Sequence, residues 1–308
     1  MDADLAGKAA TRGLGAGRWW AHGAIALAVL TVGLDTTVLS VALPTLSRAR
    51  HASEADLEWF STGYLLVLAV AMLSAGLLGD RYGRKAVLLV ALGLFGAGSA
   101  ACAYSISPRE FLGARVLVGL AGAGVIVMAV SALAVLFSQD ERPKAVGIWA
   151  AANFVALPIG PILGGWMLTH FWWGWAFLIN VPVAVIGFAA VVRLVPESRA
   201  ASRPAVDIVG VTTSAAGLVA LTYGLIRAGQ DGRGHAGALA LMAGGVVILA
   251  GFSGWERRLS RQALVDLGLF ASRLFTWGVI LAAPPWFLGA RRMARNSSRP
   301  PRITARFY

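Results

Sequence analysis

The chain has 308 residues, 57% of them hydrophobic and 14% charged, with a formal net charge of +12. Soluble domains run at roughly 45–50% and about 25%, so a soluble core is excluded in favour of a bundle of apolar helices. The basic excess lies mostly in short segments between apolar runs, which argues for membrane topology and against nucleic acid as a partner. A single cysteine, Cys102, excludes an internal disulfide. Four scattered histidines (His22, His51, His170, His235) have no metal-ligand spacing, and no metal or cofactor is expected.

A bilayer span needs about 20 mostly apolar residues. Eight segments qualify, near 20–43, 58–79, 86–104, 111–136, 145–168, 175–193, 207–226 and 236–255, so the predicted fold is all-α and integral to the membrane. The first run follows Lys8, Arg12 and Arg18, as a signal peptide would. It is too long, carries Asp35 and lacks a small-residue cleavage site, so it reads as a retained span. A ninth stretch, 272–288, is shorter and broken by Pro284-Pro285, which remove two backbone donors. With the N-terminus inside, the cytoplasmic segments hold 15 Lys and Arg and the outer loops five, the bias expected of a cytoplasmic N-terminus. Eight spans with both ends cytoplasmic is the expected topology, and nine the alternative. Trp59 and the Trp172-Trp173-Gly174-Trp175 cluster fall near span ends, where aromatic anchors belong.

Four features carry chemistry, in chain order. Asp35 lies in the middle of span one, within Thr31-Val-Gly-Leu-Asp-Thr-Thr-Val-Leu-Ser-Val-Ala-Leu-Pro44. A carboxylate at mid-bilayer costs about 2.5–3.5 kcal/mol on insertion scales, so it is ordinarily retained for a proton, ion or substrate path. The plainer alternative is a structural carboxylate bonded to Thr36, Thr37 or a neighbouring helix. Gly76-Leu-Leu-Gly-Asp80-Arg81-Tyr-Gly83-Arg84-Lys85 joins two spans as a charged hairpin. Its bases enforce topology, Gly83 supplies a permissive turn backbone, and the ordered pattern points to a structural gate. Arg115, in Arg115-Val-Leu-Val-Gly119-Leu-Ala-Gly122, is the other strong charge inside a span. It needs a carboxylate or several carbonyls as partner, or it snorkels to the outer surface. Span five carries Gly147 and then Pro158-Ile-Gly160-Pro161-Ile-Leu-Gly164-Gly165, whose prolines bend a helix and whose glycines leave a flat packing face.

Together these segments resemble the signatures of the major facilitator superfamily, and within it the drug:proton antiporters with fourteen helices. The resemblance covers about residues 20–280. It includes Phe177-Leu-Ile-Asn180-Val-Pro182, Asp207-Ile-Val-Gly210, Trp255-Glu256-Arg257-Arg258 and Leu264-Val-Asp-Leu-Gly-Leu-Phe270. It implies a six-helix N-terminal transporter domain over 19–195, preceded by a cytoplasmic segment over 1–18. A loop and linker helices seven and eight follow over 196–256, then a cytoplasmic loop, an incomplete ninth helix and a basic tail over 257–308. It further implies proton-coupled export of lipophilic or cationic drugs across the plasma membrane. Asp35 and Arg115 would couple the proton, Asp80 and its basic neighbours would latch the cytoplasmic gate, and Gly160-Pro161 would seal the bundle.

Two local departures are Val118, where the arginine motif often has glutamine, and Ala156, at the middle glycine position of the antiporter motif. After Trp277 the apolar pattern dissolves into Arg291-Arg292-Met-Ala-Arg-Asn-Ser-Ser-Arg-Pro-Pro-Arg, which reads as a C-terminally truncated member. The expected partners are protons, a small drug-like molecule and the lipid bilayer, with a second copy of the chain, as a homo-oligomer, a further candidate. A non-transporting membrane fragment or oligomerising partner is the alternative function. An enzyme is not expected, since no nucleophile–base pair or phosphate loop is present.

Overall fold

The structure, a computed structural model, describes residues 17–198, 208–230 and 235–259. Lys8, Arg12, Asp207, the 264–270 segment, the 272–288 stretch and the basic tail lie outside the described residues. Met1–Trp255 forms one compact unit and Glu256–Tyr308 a second, of which only 256–259, the end of a helix, are described.

Every described element is a helix: α1 (Gly17–Arg50), α2 (Glu54–Tyr82), α3 (Arg84–Tyr104), α4 (Pro108–Leu136), α5 (Arg142–His170), α6 (Trp175–Leu178), α7 (Asn180–Leu194), α8 (Ile208–Gln230) and α9 (Ala236–Leu259). In hydrocarbon each backbone N–H and C=O must find its partner within the segment, which a helix does and an open strand does not. Among the described residues eight helices are long and apolar enough to cross a membrane, at the eight apolar runs, with α6 and α7 forming one span over Trp175–Leu194.

The helix ends follow local chemistry. Ser53 caps α2 in a reciprocal box with Asp56: the serine hydroxyl accepts from Asp56 N at 3.2 Å, and Ser53 N donates to the carboxylate at 2.9 Å. Pro108 opens α4 just after the cap Ser107. Between α2 and α3 the chain turns on Gly83 at φ 109°, a conformation that side chains resist. The interruption between α6 and α7 has a sequence cause as well. The ring of Pro182 crowds the carbonyl four residues back, that of Leu178, and cannot donate to it.

Helices α1 and α4 occupy the middle. Of their most apolar stretches, 56% and 61% are buried, against 11% for α5 and for α9. α1 packs on α5 and α7, α4 packs on α2 and α3, and α1 and α4 meet each other. Small residues permit these approaches. A Cβ at Gly119 of α4 would stand 2.9 Å from the Tyr64 carbonyl of α2, and one at Gly124 would stand 2.9 Å from Ala91 Cβ of α3. α8 joins through α2, with the Trp59 and Tyr223 rings 5.5 Å apart. α8 and α9 cross backbone to backbone, where a Cβ on Gly245 would lie 2.6 Å from Leu221 N.

The tryptophans divide. Trp172 and Trp175 are exposed, as anchors are. Trp173 is buried at 8% exposure, with the Arg50 guanidinium 5.0 Å from its ring centroid. It packs inside the bundle, and Trp59, half-buried, packs against Tyr223 of α8.

Candidate functional site

Asp35 and Arg115 meet. Arg115 Nη1 donates to Asp35 Oδ2 at 2.6 Å, and neither side chain has any exposed surface. Snorkelling is thus excluded for Arg115, and of the partners open to Asp35 it is neighbouring helices, not Thr36 or Thr37, that supply them. Thr36 and Thr37 instead donate back to the Val32 and Gly33 carbonyls of their own helix. Two helices supply the pair because Gly119 lets α4 press against α2, bringing Arg115 level with the middle of α1.

The rest of the shell completes the charges. Asn180 Nδ2 donates to Asp35 Oδ1 at 3.0 Å and lies 3.4 Å from the Ser99 hydroxyl. Arg115 Nε donates to the Phe60 carbonyl at 3.3 Å, and its guanidinium carbon sits 4.1 Å from the Tyr64 ring centroid. Nη2 has no hydrogen-bond partner among the described residues. Its face toward Tyr64 gives it the attraction a cation finds over an aromatic ring. Asp35, Ser99, Arg115 and Asn180 are each 1% exposed or less. Spans one, two, three, four and six, five in all, therefore contribute to one buried cluster. A buried pair is expensive to desolvate and stays folded only when its remaining lone pairs and protons are also matched, which is what Asn180 and Phe60 do.

Asn180 is the residue the sequence reasoning passed over. It stands in the quoted Phe177–Pro182 segment, but no role follows from that segment alone. The usable signal is an amide inside an apolar span, just past a proline-induced break. Val118, where a glutamine partner is missing, is wholly buried and packs at Gly98; Asn180 supplies a polar contact from a different helix.

The antiporter-motif glycines serve the same region. A Cβ on Gly160 would overlap the Thr37 hydroxyl, and one on Gly164 would stand 3.3 Å from Val38. These two let α5 lie directly on α1 beside Asp35. Ala156, the departure from the glycine pattern, is met by Gly33 of α1, where an added Cβ would come within 2.9 Å. The smallest residue has moved to the other helix. Thr37 Oγ1 also donates to Ala156 O at 3.3 Å. Gly147 and Gly165 have nothing within 4 Å and contribute to no close contact.

On the far side of α1 from Asp35 lies a cavity of about 440 Å³ between α1, α2, α4 and α5, lined among others by Val32, Thr36, Leu68, Ile126, Trp149 and Asn153. No charged residue is among its lining residues. Its size falls within the roughly 300–1,000 Å³ of small-molecule sites.

The 76–85 hairpin is separate from this cluster, at the other end of α2. Arg84 Nη2 pairs with Asp80 Oδ1 at 3.0 Å, and Arg81 lies over the Tyr82 ring at 5.7 Å. Gly76 faces Val127 of α4. Lys85 Nζ donates to the Val192 carbonyl at 2.7 Å, and Arg84 N donates to Ser198 O at 2.9 Å. The hairpin is thereby tied to the end of span six, with Lys85 satisfying one of the carbonyls a helix C-terminus leaves open. On the same side as the start of α1, Arg18 makes a two-pronged pair with Glu141 at 2.8 Å on both oxygens.

The sequence profile of the Major Facilitator Superfamily matches residues 25–293. The chain belongs to the major facilitator superfamily. It is a multi-pass membrane protein of a transporter family and not an enzyme. It is 36% identical over 259 residues to the tetracenomycin C resistance and export protein of Streptomyces glaucescens, covering 84% of this chain and 48% of that one. It is 35% identical over 265 residues to the multidrug efflux pump LfrA of Mycolicibacterium smegmatis (85% and 52%). To the methyl viologen resistance protein SmvA of Salmonella typhimurium it is 31% identical over 269 residues (86% and 54%). The chain spans about half the length of these curated relatives. Among solved structures, the proton:xylose symporter XylE bound to 6-bromo-6-deoxy-D-glucose aligns with TM-score 0.52 at 16% identity, over 79% of this chain and 55% of that one. At that identity the shared major facilitator fold is what the likeness conveys.

Proposed function

We propose that this chain is the N-terminal portion of an exporter that moves lipophilic, drug-like molecules out across the plasma membrane in exchange for protons. The observation that carries the reading is the sealed cluster of Asp35, Arg115 and Asn180, set in α1 directly behind an uncharged cavity. The relatives named as export and efflux proteins support it. Asp35 holds the proton. When its carboxyl is protonated the charge that Arg115 pairs with is gone, and α1 and α4 lose the contact that holds them. When it is ionised the pair closes again. Because Thr36 and Thr37 flank Asp35 and line the cavity, a shift of α1 at the carboxyl reshapes the cavity wall.

The N-terminus is cytoplasmic in this reading, and residues 19–195 form the transport domain with 196–256 as linker helices. The 80–85 hairpin is the cytoplasmic gate, and the α1–α5 contact at Gly160 keeps protons from leaking past the cavity. Transport requires a second wall opposite α1 and α5, supplied by further chain or by a second copy.

The test is uptake into inverted vesicles carrying the protein, using a panel of fluorescent lipophilic compounds and an imposed proton gradient. Gradient-dependent accumulation that Asp35→Asn abolishes is the expected result. Transport unchanged by Asp35→Asn removes the carboxyl from the coupling. No transport of any compound by inserted, stable protein favours a non-transporting membrane partner.

A further inference from the structure

The buried cluster does not sit midway along the spans that build it. Ser99, Arg115 and Asn180 lie about two turns or less from one end of α3, α4 and span six, and about four turns or more from the other. With a cytoplasmic N-terminus the near ends are the outer ones. Along these helices outer water is closer to Asp35 than the cytoplasm is, although the carboxylate itself is wholly buried.

Four of the five spans fill that short distance with hydrocarbon. Leu39 stands one turn outward of Asp35, Phe60 one turn outward of Tyr64, and Phe111 one turn outward of Arg115. Phe177 precedes Asn180 by three residues, and all four are 3% exposed or less. The rings pack in series, Phe60 on Phe111 at 4.5 Å between centroids and Phe111 on Phe177 at 5.3 Å. α3 is the exception. Ser99, Cys102 and Ser105 follow one another at intervals of three residues, each next to the following one on the same side of the helix. They are 0%, 0% and 4% exposed. Ser99 Oγ is 3.4 Å from Asn180 Nδ2, the amide that holds Asp35 Oδ1. Cys102 lies within electrostatic reach of Arg115 and Asp35. Ser105 closes α3 at its outer end, where Ile106 is exposed and its N–H donates to the exposed Glu110 carboxylate at 2.9 Å. Ser105 returns its hydrogen to its own helix, at the Cys102 carbonyl, as Thr36 and Thr37 do on α1. Ser99 does not. Its hydroxyl accepts from Asn180 and donates to no acceptor among the described residues, which leaves a buried donor open beside a carboxylate.

We propose that Ser105, Cys102 and Ser99 form a proton path from the outer surface to Asp35, inside the helix bundle and separate from the cavity. Successive steps rise about 4.5 Å along α3, a gap that one water bridges. Each group takes a proton from its outer neighbour and gives its own to the inner one. A hydronium ion outside becomes water, Asp35 becomes a neutral carboxyl, and no step of the path is left charged. The phenylalanine rings keep water off the other helices and so confine the path to α3. The assignment rests on the export reading for its driving force, a proton entering from outside, but access along the path is measurable without transport.

Cys102 is the single cysteine of the chain and stands on the path, so its S–H stretching band in the infrared reports hydrogen–deuterium exchange at one known point. The experiment follows that band after the whole chain, in lipid nanodiscs, is transferred to heavy water. The parent thiol is expected to exchange faster than the slowest backbone amides, which wait for the bundle to open. Ser105→Val and Ser105→Ala alter the step between the thiol and outer water, and each is expected to slow exchange about tenfold. Ser105→Thr, as large as valine but with the hydroxyl kept, is expected to exchange at the parent rate. Ser99→Ala lies on the inner side of the thiol and is expected not to slow it. The proposal is overturned if the thiol exchanges only with the slowest amides, if both Ser105→Val and Ser105→Ala match the parent, or if Ser99→Ala slows the thiol as much as they do. In inverted vesicles, Ser99→Ala and Ser105→Val are each expected to lower kcat for proton-driven uptake about tenfold at unchanged KM. The expected order of thiol exchange with no uptake even by the parent would sink the export reading and leave the path standing. Parent-like uptake in both variants would do the reverse.

Discussion

Two aspartate–arginine pairs set the same chemistry in opposite surroundings. Asp80 and Arg84 are one helical turn apart in number, 3.0 Å apart in space, and their side chains are 39% and 24% exposed. Asp35 and Arg115 are 80 residues apart, 2.6 Å apart in space, and fully buried. The first pair forms because its members are neighbours in the chain. Water competes for both, so the contact is worth about 0–1 kcal/mol and opens at little cost, a property suited to a latch. The second forms only if five spans assemble around it, and once assembled neither charge has anywhere else to go. A pair of this kind reports on the whole bundle.

The comparison breaks most visibly if one buried charge is removed. Asp35→Leu or Arg115→Met alone leaves the other charge uncompensated and is expected to cost about 3–5 kcal/mol. This would be read as a large fall in Tm in detergent or as loss of monodisperse protein. The double variant, which removes both charges, is expected to recover most of that. A double variant as poor as either single would mean that the pair organises the helices in some way beyond charge balance. Next in size is Asn180→Leu, which takes one donor from Asp35 Oδ1. It is expected to cost about 1–3 kcal/mol, and to cost much less in the Asp35→Leu, Arg115→Met background, where the donor has no charged acceptor to satisfy. Equal losses in both backgrounds would reduce Asn180 to a packing residue. The smallest effect belongs to the exposed pair. A double-mutant cycle on Asp80→Ala and Arg84→Ala is expected to return a coupling of about 0–1 kcal/mol that fades at high salt. A coupling as large as that of the buried pair would contradict its assignment as a latch.

Much of the fold was legible in the sequence because the bilayer imposes one length and one backbone geometry on every crossing. Runs of about 20 apolar residues had to be helices, and Gly83 lay where the chain had to reverse. Asp35 and Arg115 stood out singly, as charges in apolar surroundings do. Their meeting was not legible, because no local rule relates positions so far apart in the chain; only the stacking of α4 on α1 does. Asn180 was harder still. Its amide is unremarkable in composition, and its importance comes from Pro182 breaking span six just where the side chain must reach Asp35. Ala156 looked like a mild flaw in a glycine pattern until Gly33 appeared opposite it, since steric complementarity is a property of two helices and not of either one. Trp173 sat at a helix end, the usual place for an anchor, and only the approach of Arg50 shows that it is interior.

The separation between Asp35 and its partners also sets a schedule for synthesis. At about 5–20 residues per second, the 80 residues from Asp35 to Arg115 take the ribosome about 4–16 s. Asn180 follows Asp35 by 145 residues, so it arrives later again. Span one is thus made well before either group that neutralises its carboxyl exists. It reaches its final state only when spans four and six have come alongside.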